Sequence, residues 1–302
     1  MNSHLDSNDP LVQQRRHQQH LRDFTIALLH GCSQIFLQRS ALVGAATLMG
    51  VLFGSVPMFI GGLIGLVTGT LAATVFRCDR ADIDEGLYGY NPMLVGTGLF
   101  YFFDVSPELV GVTVVAAGLS TWLLHVLLNR HVPALTLPFV TVTLTAIEVI
   151  NTFGLADPNP SSFITAGDLN PHTSFFLSFG QVMFQDSVLA GVIFFAALLA
   201  HKPIAALFAA LGVLFSVVIA LFVGISETQV NTGLFGFSAI LCCLAFAEHS
   251  WHAVINAVIA ASLATLCTVL AHAAGAVVLT LPFIVSTWLV MGVGRCWERQ
   301  VE

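Results

Sequence analysis

The chain has 302 residues, of which 56% are hydrophobic and 9% are charged, and it carries a net charge of −7. Soluble domains contain about 25% charged residues, so this composition excludes a soluble globule, whose surface could not be covered with polar side chains. The acidic residues are spread over separate segments, and we expect no nucleic-acid partner. The composition predicts a helical protein that crosses a membrane several times.

The N-terminal third begins with a polar segment and continues with apolar ones. Residues 1–23 contain no apolar run of the signal-peptide type, so we expect a soluble tail there. A short apolar segment follows at 24–37. Residues 41–76 contain no Asp, Glu, Lys or Arg. A membrane-spanning helix needs about 20 apolar residues, so this stretch predicts two helices, divided near 54–57.

A charged run at 77–85 predicts a loop, and the apolar segment after it, 87–103, is short for a membrane span. Glycines open this segment and Pro92 interrupts it, which favours a re-entrant half-helix. Two further spans are predicted at 108–128 and 132–153. The segment that follows is rich in Pro, Asn, Asp and Ser and predicts a linker at 154–171.

The second half of the chain repeats this plan. Its apolar segments lie at 173–184, 188–200, 203–223, 234–246 (again short), 252–271 and 275–294. Five spans and one half-helix give each half an odd number of crossings, so the two copies must have opposite orientations. The predicted fold is therefore an all-α polytopic membrane protein with two inverted-topology repeats, each with about five transmembrane helices plus one re-entrant half-helix.

Three motifs recur in the same order in both halves and indicate a duplication. The segment 86–96 (GLYGYNPMLVG) recurs from residue 233 (GLFGFSAIL), an offset of 233 − 86 = 147. Gln34 in GCSQIFLQ corresponds to Gln181 in SFGQVMFQ, where 181 − 34 = 147. Thr136 and Thr280 lie in two copies of LTLPF, where 280 − 136 = 144.

The charge distribution suggests an orientation in the membrane. The linker has no Lys or Arg, which predicts an extracytoplasmic linker and cytoplasmic termini. The basic residues expected on the cytoplasmic side are Arg15, Arg16, Arg22, Arg130, Arg295 and Arg299, and those on the far side are Arg39, Arg77, Arg80 and Lys202. The predicted layout is an N-terminal tail at 1–23, a first membrane repeat at 24–153, the linker at 154–171, a second repeat at 172–295 and a C-terminal tail at 296–302.

The recurring motifs predict a central pathway, because inverted repeats place paired elements around one axis. The candidate polar groups, at Gln34, Gln181, Thr136 and Thr280, are uncharged and can accept hydrogen bonds from N–H groups. Unpaired backbone carbonyls beside Pro-broken helices would add to them. Aromatic side chains at two further positions, Tyr90 and Phe237, could form flat walls. This lining suits a small, neutral, planar hydrogen-bond donor.

Each residue type also has an ordinary structural role. A lone Thr in a membrane helix often bonds its own i−4 carbonyl, a lone Phe usually packs in a core, and glycines permit close helix packing. The six cysteines lie mostly in apolar runs without metal-ligand spacing and are interpreted as structural. The HSWH segment at 249–252 does not have the i, i+4 spacing of a helical metal site. No nucleophile–base pair is evident, so we expect neither an enzyme nor a bound cofactor.

The paired GLYG-aromatic and LTLPF elements resemble those of the urea transporter family, over roughly residues 24–295. The resemblance implies a homotrimer in a plasma (inner) membrane, surrounded by lipid, with one pore in each protomer between the inverted halves. It also implies that Gln34 and Gln181 flank a narrow filter and that the hydroxyls of Thr136 and Thr280 face its middle. The positions that the resemblance implies for the apolar slot walls are Leu37, Tyr90, Leu94, Val182, Phe237 and Leu241.

The sequence departs from the family pattern in several of these segments. It has Tyr90 where Phe is usual, Pro92 where Gly is usual and Ser238 where Asn is usual. An aromatic residue also often occupies the site of Leu37. These departures concern the shape of the slots.

Three functions remain open on these grounds. The first is passive urea permeation past an oxygen ladder between apolar walls. The second is an ion-coupled transporter for another small amide, with Glu148 or the acids at 82–85 binding the driving ion. The third is an ammonia or water channel, although the chain lacks paired Asn-Pro-Ala motifs and paired mid-span histidines.

Overall fold

The computed structural model describes residues 10–159 and 170–301, and within these ranges the chain is helical apart from turns and one isolated bridge between Phe103 and Pro158. The all-α prediction is confirmed for these residues. The first half contains α1 (Pro10–Gln34), α2 (Ala41–Gly54), α3 (Val56–Val75), α4 (Arg80–Asp84), α5 (Tyr90–Phe102), α6 (Pro107–Asn129) and α7 (Leu137–Phe153). The second half contains α8 (Pro171–Gln181), α9 (Val188–His201), α10 (Pro203–Phe222), α11 (Glu227–Val230), α12 (Phe237–Ala245), α13 (Trp251–Ala273) and α14 (Leu281–Val301).

The order and spacing of these helices repeat. Helices α2 and α9 begin at Ala41 and Val188, where 188 − 41 = 147, and α3 to α5 have the same offset from α10 to α12. Helices α7 and α14 begin at Leu137 and Leu281, where 281 − 137 = 144. The duplication inferred from three motifs therefore extends along the described helices, although their orientation in a membrane stays a prediction.

The backbone repeats in its unusual conformations as well. Positive φ angles occur in pairs at the same offsets: Leu37 with Phe184, Arg77 with Gly224, Gly86 with Gly233, His131 with Gly275, and Leu135 with Leu279. Residues other than glycine adopt a positive φ at a cost of about 1–2 kcal/mol. Leu37, Phe184, Leu135 and Leu279 therefore mark turns that the surrounding structure enforces.

Helices α5 and α12 lie in the interior of the molecule. Residues Asn91 to Phe100 of α5 and Ser238 to Leu244 of α12 are buried without interruption. With 13 and 9 residues, they extend over about 20 and 14 Å at 1.5 Å per residue. Both are shorter than a hydrocarbon core of about 30 Å, so neither alone could cross a membrane.

Glycines bring each short helix into backbone contact with a long one. A Cβ atom at Gly65 of α3 would overlap the carbonyl oxygen of Pro92 in α5. At the corresponding Gly212 of α10, a Cβ atom would lie 2.7 Å from the carbonyl oxygen of Ala239 in α12. These close approaches fix the short helices against the long helices of their own repeat.

Four of the described helices are long and apolar enough to cross a membrane: α3, α6, α10 and α13. Their outer faces expose large apolar side chains, among them Leu71, Val115, Leu207 and Leu270, as expected of an integral membrane protein. Helices α2, α7, α9 and the segment Leu281–Gly292 are apolar but shorter. Two of the described helices in each half are thus long enough to cross a membrane. The five spans expected in each half stay a prediction.

Several local predictions differ from the structure. The charged run 77–85, predicted as a loop, contains the short helix α4, because the Asp79 carboxylate accepts a hydrogen bond from the Ala81 N–H at 2.8 Å and caps it. Residues 132–136, predicted as part of a span, precede α7 in a turn that includes the positive φ of Leu135. The tail prediction at 1–9, the linker prediction at 160–169 and the final residue lie outside the described residues.

Candidate functional site

Two cavities lie at corresponding places in the two repeats. The first, here the Gln34 cavity, has a volume of about 240 Å³ and the second, the Gln181 cavity, about 250 Å³. The Gln34 cavity is lined in part by Gln34, Leu37, Tyr90, Leu135 and Thr136. The Gln181 cavity is lined in part by their repeat counterparts Gln181, Phe184, Phe237, Leu279 and Thr280.

Each cavity also receives side chains from the opposite repeat. Phe283 of α14 reaches the Gln34 cavity, whereas Tyr101 and Phe102 of α5 reach the Gln181 cavity. The Phe184 ring lies 5.4 Å from that of Tyr101 and 6.1 Å from that of Phe139, between ring centroids. Both cavities therefore lie between the two halves of the chain.

The two threonines of the LTLPF motifs join the linings of the two cavities. The hydroxyl oxygens of Thr136 and Thr280 are 2.7 Å apart and share a hydrogen bond, and each residue is only 4% exposed. One threonine lines each cavity. The ordinary role of a membrane threonine, seen at Thr113 with its bond to the Leu109 carbonyl, is therefore wrong for this pair.

The threonines are available to each other because of where they lie in the chain. Thr136 precedes α7 at its N-cap position, but its hydroxyl makes no capping hydrogen bond. The preceding residues of both threonines, Leu135 and Leu279, have φ angles of 46° and 47°. These matching turns deliver the two hydroxyls to one point.

Tyr90 gives the Gln34 cavity a phenolic hydroxyl that its repeat counterpart in the other cavity, Phe237, does not have. Tyr90 donates its O–H to the carbonyl oxygen of Leu135 at 2.5 Å. The same carbonyl accepts a bond from Asn91 Nδ2 at 3.2 Å, and Asn91 Oδ1 accepts one from the Phe139 N–H at 3.1 Å. Asn91 and Tyr90 thus hold the turn before α7 through one carbonyl.

The second repeat has different chemistry at these two positions. Phe237 replaces the tyrosine and has no hydroxyl. Ser238 replaces the asparagine, and its hydroxyl is fully buried without a hydrogen-bond partner in the described part of the chain. The two repeats therefore place different polar groups at these two corresponding positions.

Both glutamines donate a hydrogen bond from the side-chain amide nitrogen to an acceptor within the protein. Gln34 Nε2 donates to the backbone carbonyl of Glu85 at 3.0 Å. Gln181, which is 5% exposed, donates from Nε2 to the Asp186 carboxylate at 2.6 Å. The two amides therefore have acceptors of different kinds, one from the backbone and one from a side chain.

Eight of the ten residues named from the sequence line one cavity or the other. The two exceptions are Leu94 and Leu241, which are 1% and 2% exposed and pack in the core of α5 and α12. Phe184 was missed, although it lies 184 − 37 = 147 residues after Leu37 and the repeat offset identifies it. Ile35 was missed as well, although it lines the Gln34 cavity and precedes Val182 by the same 147 residues.

The acids considered as sites for a driving ion lie outside both cavities. Glu148 is exposed on α7 and makes no side-chain hydrogen bond within the described residues. Glu85 pairs with Arg39 at 2.8 Å, and Asp84 pairs with Arg80 at 3.0 Å. Burial and the neighbouring charge of Asp79 raise the pKa of Asp82 above its ordinary value.

Comparisons with known proteins agree with the resemblance noted from the motifs. A family model described as urea transporter matches residues 25–295. The chain is similar to proteins named Urea transporter 1 from Ovis aries (28% identical over 240 residues), Mus musculus (29% over 244) and Rattus norvegicus (30% over 239). Each match covers 72% of this chain and 61% of the relative, so the chain spans about three fifths of the length of these relatives. Since the family match includes both repeats and both cavities, the chain belongs to the urea transporter family.

Proposed function

We propose that the protein conducts urea passively from one cavity to the other, past the Thr136–Thr280 hydrogen bond. That bond carries the proposal, because it joins a hydroxyl that lines one cavity to a hydroxyl that lines the other. The family match and the name of the relatives support urea as the substrate.

The lining fits the chemistry of urea. Urea is planar and uncharged and carries four N–H bonds, so a narrow path must offer acceptors to offset the loss of water. The glutamine amide oxygens and the threonine hydroxyls are such acceptors. No Asp, Glu, Lys or Arg lines either cavity in the described residues, and the titratable His272 of the Gln181 cavity shares a hydrogen bond with Gln229. A permeating cation therefore meets no carboxylate in either cavity.

Several features of the assembly belong to the same proposal. The two repeats have opposite orientations, and α5 and α12 are half-helices whose buried Leu94 and Leu241 form slot walls beside the path. Three copies assemble in the inner membrane, each with its own path, and both termini are cytoplasmic. The repeated helix order and the short, buried α5 and α12 support this arrangement.

Stopped-flow light scattering on proteoliposomes tests the function. We expect urea to equilibrate much faster than glycerol under an equal osmotic gradient, and urea flux to be indifferent to imposed pH and sodium gradients. Empty liposomes give the background permeability. Urea flux at that background would refute the channel, and flux that follows a sodium or proton gradient would indicate a coupled transporter instead.

Replacing Tyr90 by Phe should raise urea permeability by about twofold to fivefold, the equivalent of one weak hydrogen bond. The change removes a hydroxyl from the Gln34 cavity and leaves the Leu135 carbonyl with a single donor, Asn91. That carbonyl can then accept from a urea N–H. The same stopped-flow assay measures the effect, with Tyr88→Phe as a control outside both cavities. Lower flux in Y90F would show that the tyrosine oxygen itself accepts from urea.

A further inference from the structure

The two repeats have different residues at the fifth position after each glutamine. Arg39 in the first repeat corresponds to Asp186 in the second, where 186 − 39 = 147. Arg39 pairs with the Glu85 carboxylate at 2.8 Å, and the backbone carbonyl of the same Glu85 accepts the hydrogen bond from Gln34 Nε2. Asp186 contacts its glutamine directly, because its carboxylate accepts a hydrogen bond from Gln181 Nε2 at 2.6 Å.

The nature of the acceptor determines the orientation of the amide. A glutamine side chain has a donating nitrogen and an accepting oxygen of almost equal size, and either end can face a partner of mixed character. An ionised carboxylate only accepts. Asp186 therefore holds the nitrogen of Gln181, and the oxygen Oε1 forms the other end of the amide. A bond to a charged acceptor is about twice as strong as one between neutral groups.

The first repeat reaches the same orientation by another route. Gln34 Nε2 donates to the Glu85 backbone carbonyl, which likewise only accepts. Arg39 makes its ion pair with the side chain of this same Glu85 and is not itself the acceptor for Gln34. In the second repeat, Gln181 Nε2 donates to no backbone carbonyl among the described residues, and the carboxylate of Asp186 is its acceptor.

We infer that Asp186 is a positioning residue, which fixes the Gln181 amide so that its oxygen, and not its nitrogen, is available to a substrate N–H in the Gln181 cavity. This inference rests on the proposed urea transport. An amide released from Asp186 would present its own N–H groups to urea for part of the time, and two donors do not bond. Asp186 thus acts on urea through Gln181 without lining the cavity itself.

A mutational cycle measures this coupling. Asp186→Ala, Asp186→Asn, Gln181→Ala and the double variant with Ala at both positions are compared in the proteoliposome assay. Glu148→Ala is the control, because it removes a carboxylate that is exposed on α7, lies outside both cavities and makes no side-chain hydrogen bond within the described residues. Size-exclusion profiles and thermal stability establish that each variant is folded.

We expect D186A to lower urea permeability by about fivefold, as the loss of one well-formed hydrogen bond implies. D186N should lower it by about twofold, less than D186A, because its Oδ1 still accepts from Nε2 but its Nδ2 can also hold the amide in the reverse orientation. In the Q181A background, D186A should have no further effect, and E148A should leave the flux unchanged. A purely structural role for Asp186 would lower flux equally with and without Gln181.

Two results would overturn the inference while leaving urea transport intact: D186A at wild-type flux, or D186A effects that are the same in both backgrounds. Failure of the wild-type protein itself to carry urea would instead refute the proposed function, and with it the role of Asp186.

Discussion

Replacing both Thr136 and Thr280 by valine should lower urea permeability by about 100-fold, and each single replacement by about tenfold. Each hydroxyl removed deprives urea of one hydrogen bond worth about 1–1.5 kcal/mol at a buried point between the two cavities, and 1.4 kcal/mol corresponds to a factor of ten. Valine has nearly the shape of threonine, so the path keeps its width. The loss therefore reports the hydrogen bonds and not the size of the opening.

The stability of the same variants provides an independent check of the Thr136–Thr280 bond. A single valine leaves the opposite hydroxyl buried and unpaired, which costs about 1–3 kcal/mol, whereas removing both partners of a hydrogen bond is nearly neutral. We therefore expect the double variant to be at least as stable as either single one. Thermal unfolding of the purified protein in detergent measures this order.

Thr113→Val is the matched control for the threonine series. Thr113 is fully buried, as the pair is, but its hydroxyl bonds the Leu109 carbonyl within α6 and lines neither cavity. Its replacement should leave urea permeability unchanged. Wild-type flux in both single variants of the pair would remove the threonines from the path.

The duplication could be predicted from the sequence because short local motifs recur in both halves of the chain. Gln34 and Gln181, and Thr136 and Thr280, recur at nearly constant offsets, and the helix boundaries repeat with them. The same offset would also have led from Leu37 to Phe184. Leu37 and Val182 were instead named as slot-wall positions from the resemblance, and not from the period of this chain.

Other features depend on contacts between distant segments and have no local signal. The Thr136–Thr280 bond joins residues 144 apart, and the bond from Tyr90 to the Leu135 carbonyl joins residues 45 apart. Each requires two turns to approach within hydrogen-bond distance. Apolar length also overestimated the helices, because the turn before Leu137 interrupts a run that composition alone would continue.

The two copies of the repeat have the same helix order but different side chains at several corresponding positions. A tyrosine faces Leu135 on one side, while a phenylalanine and an unpartnered Ser238 occupy the same positions on the other. An arginine and a carboxylate likewise occupy positions 39 and 186. The backbone turns that carry the threonines are nonetheless almost identical. Backbone geometry is thus the shared feature of the two halves, and the side chains around it are free to differ.

Replacing Gly44 or Gly191 by alanine should destabilise the protein by about 3 kcal/mol or more, at the upper end of the range for overpacking. A Cβ atom at Gly44 would overlap the Leu29 carbonyl oxygen where α1 crosses α2. At the corresponding Gly191, it would overlap the Phe176 carbonyl oxygen where α8 crosses α9. A backbone carbonyl cannot rotate away as a flexible side chain can, so the helices themselves must separate.

The separation of these helices also carries a functional consequence, because α1 and α8 end at Gln34 and Gln181. Variants that still fold should therefore lose urea permeability together with stability. Gly118→Ala in α6 is the matched control: no atom lies within 4 Å of its added Cβ, and alanine favours a helix by about 1 kcal/mol over glycine. Thermal unfolding in detergent measures all three. Unfolding temperatures of G44A and G191A equal to that of G118A would mean that these crossings are looser than the backbone contacts indicate, and that α1 and α8 do not hold the glutamines in place.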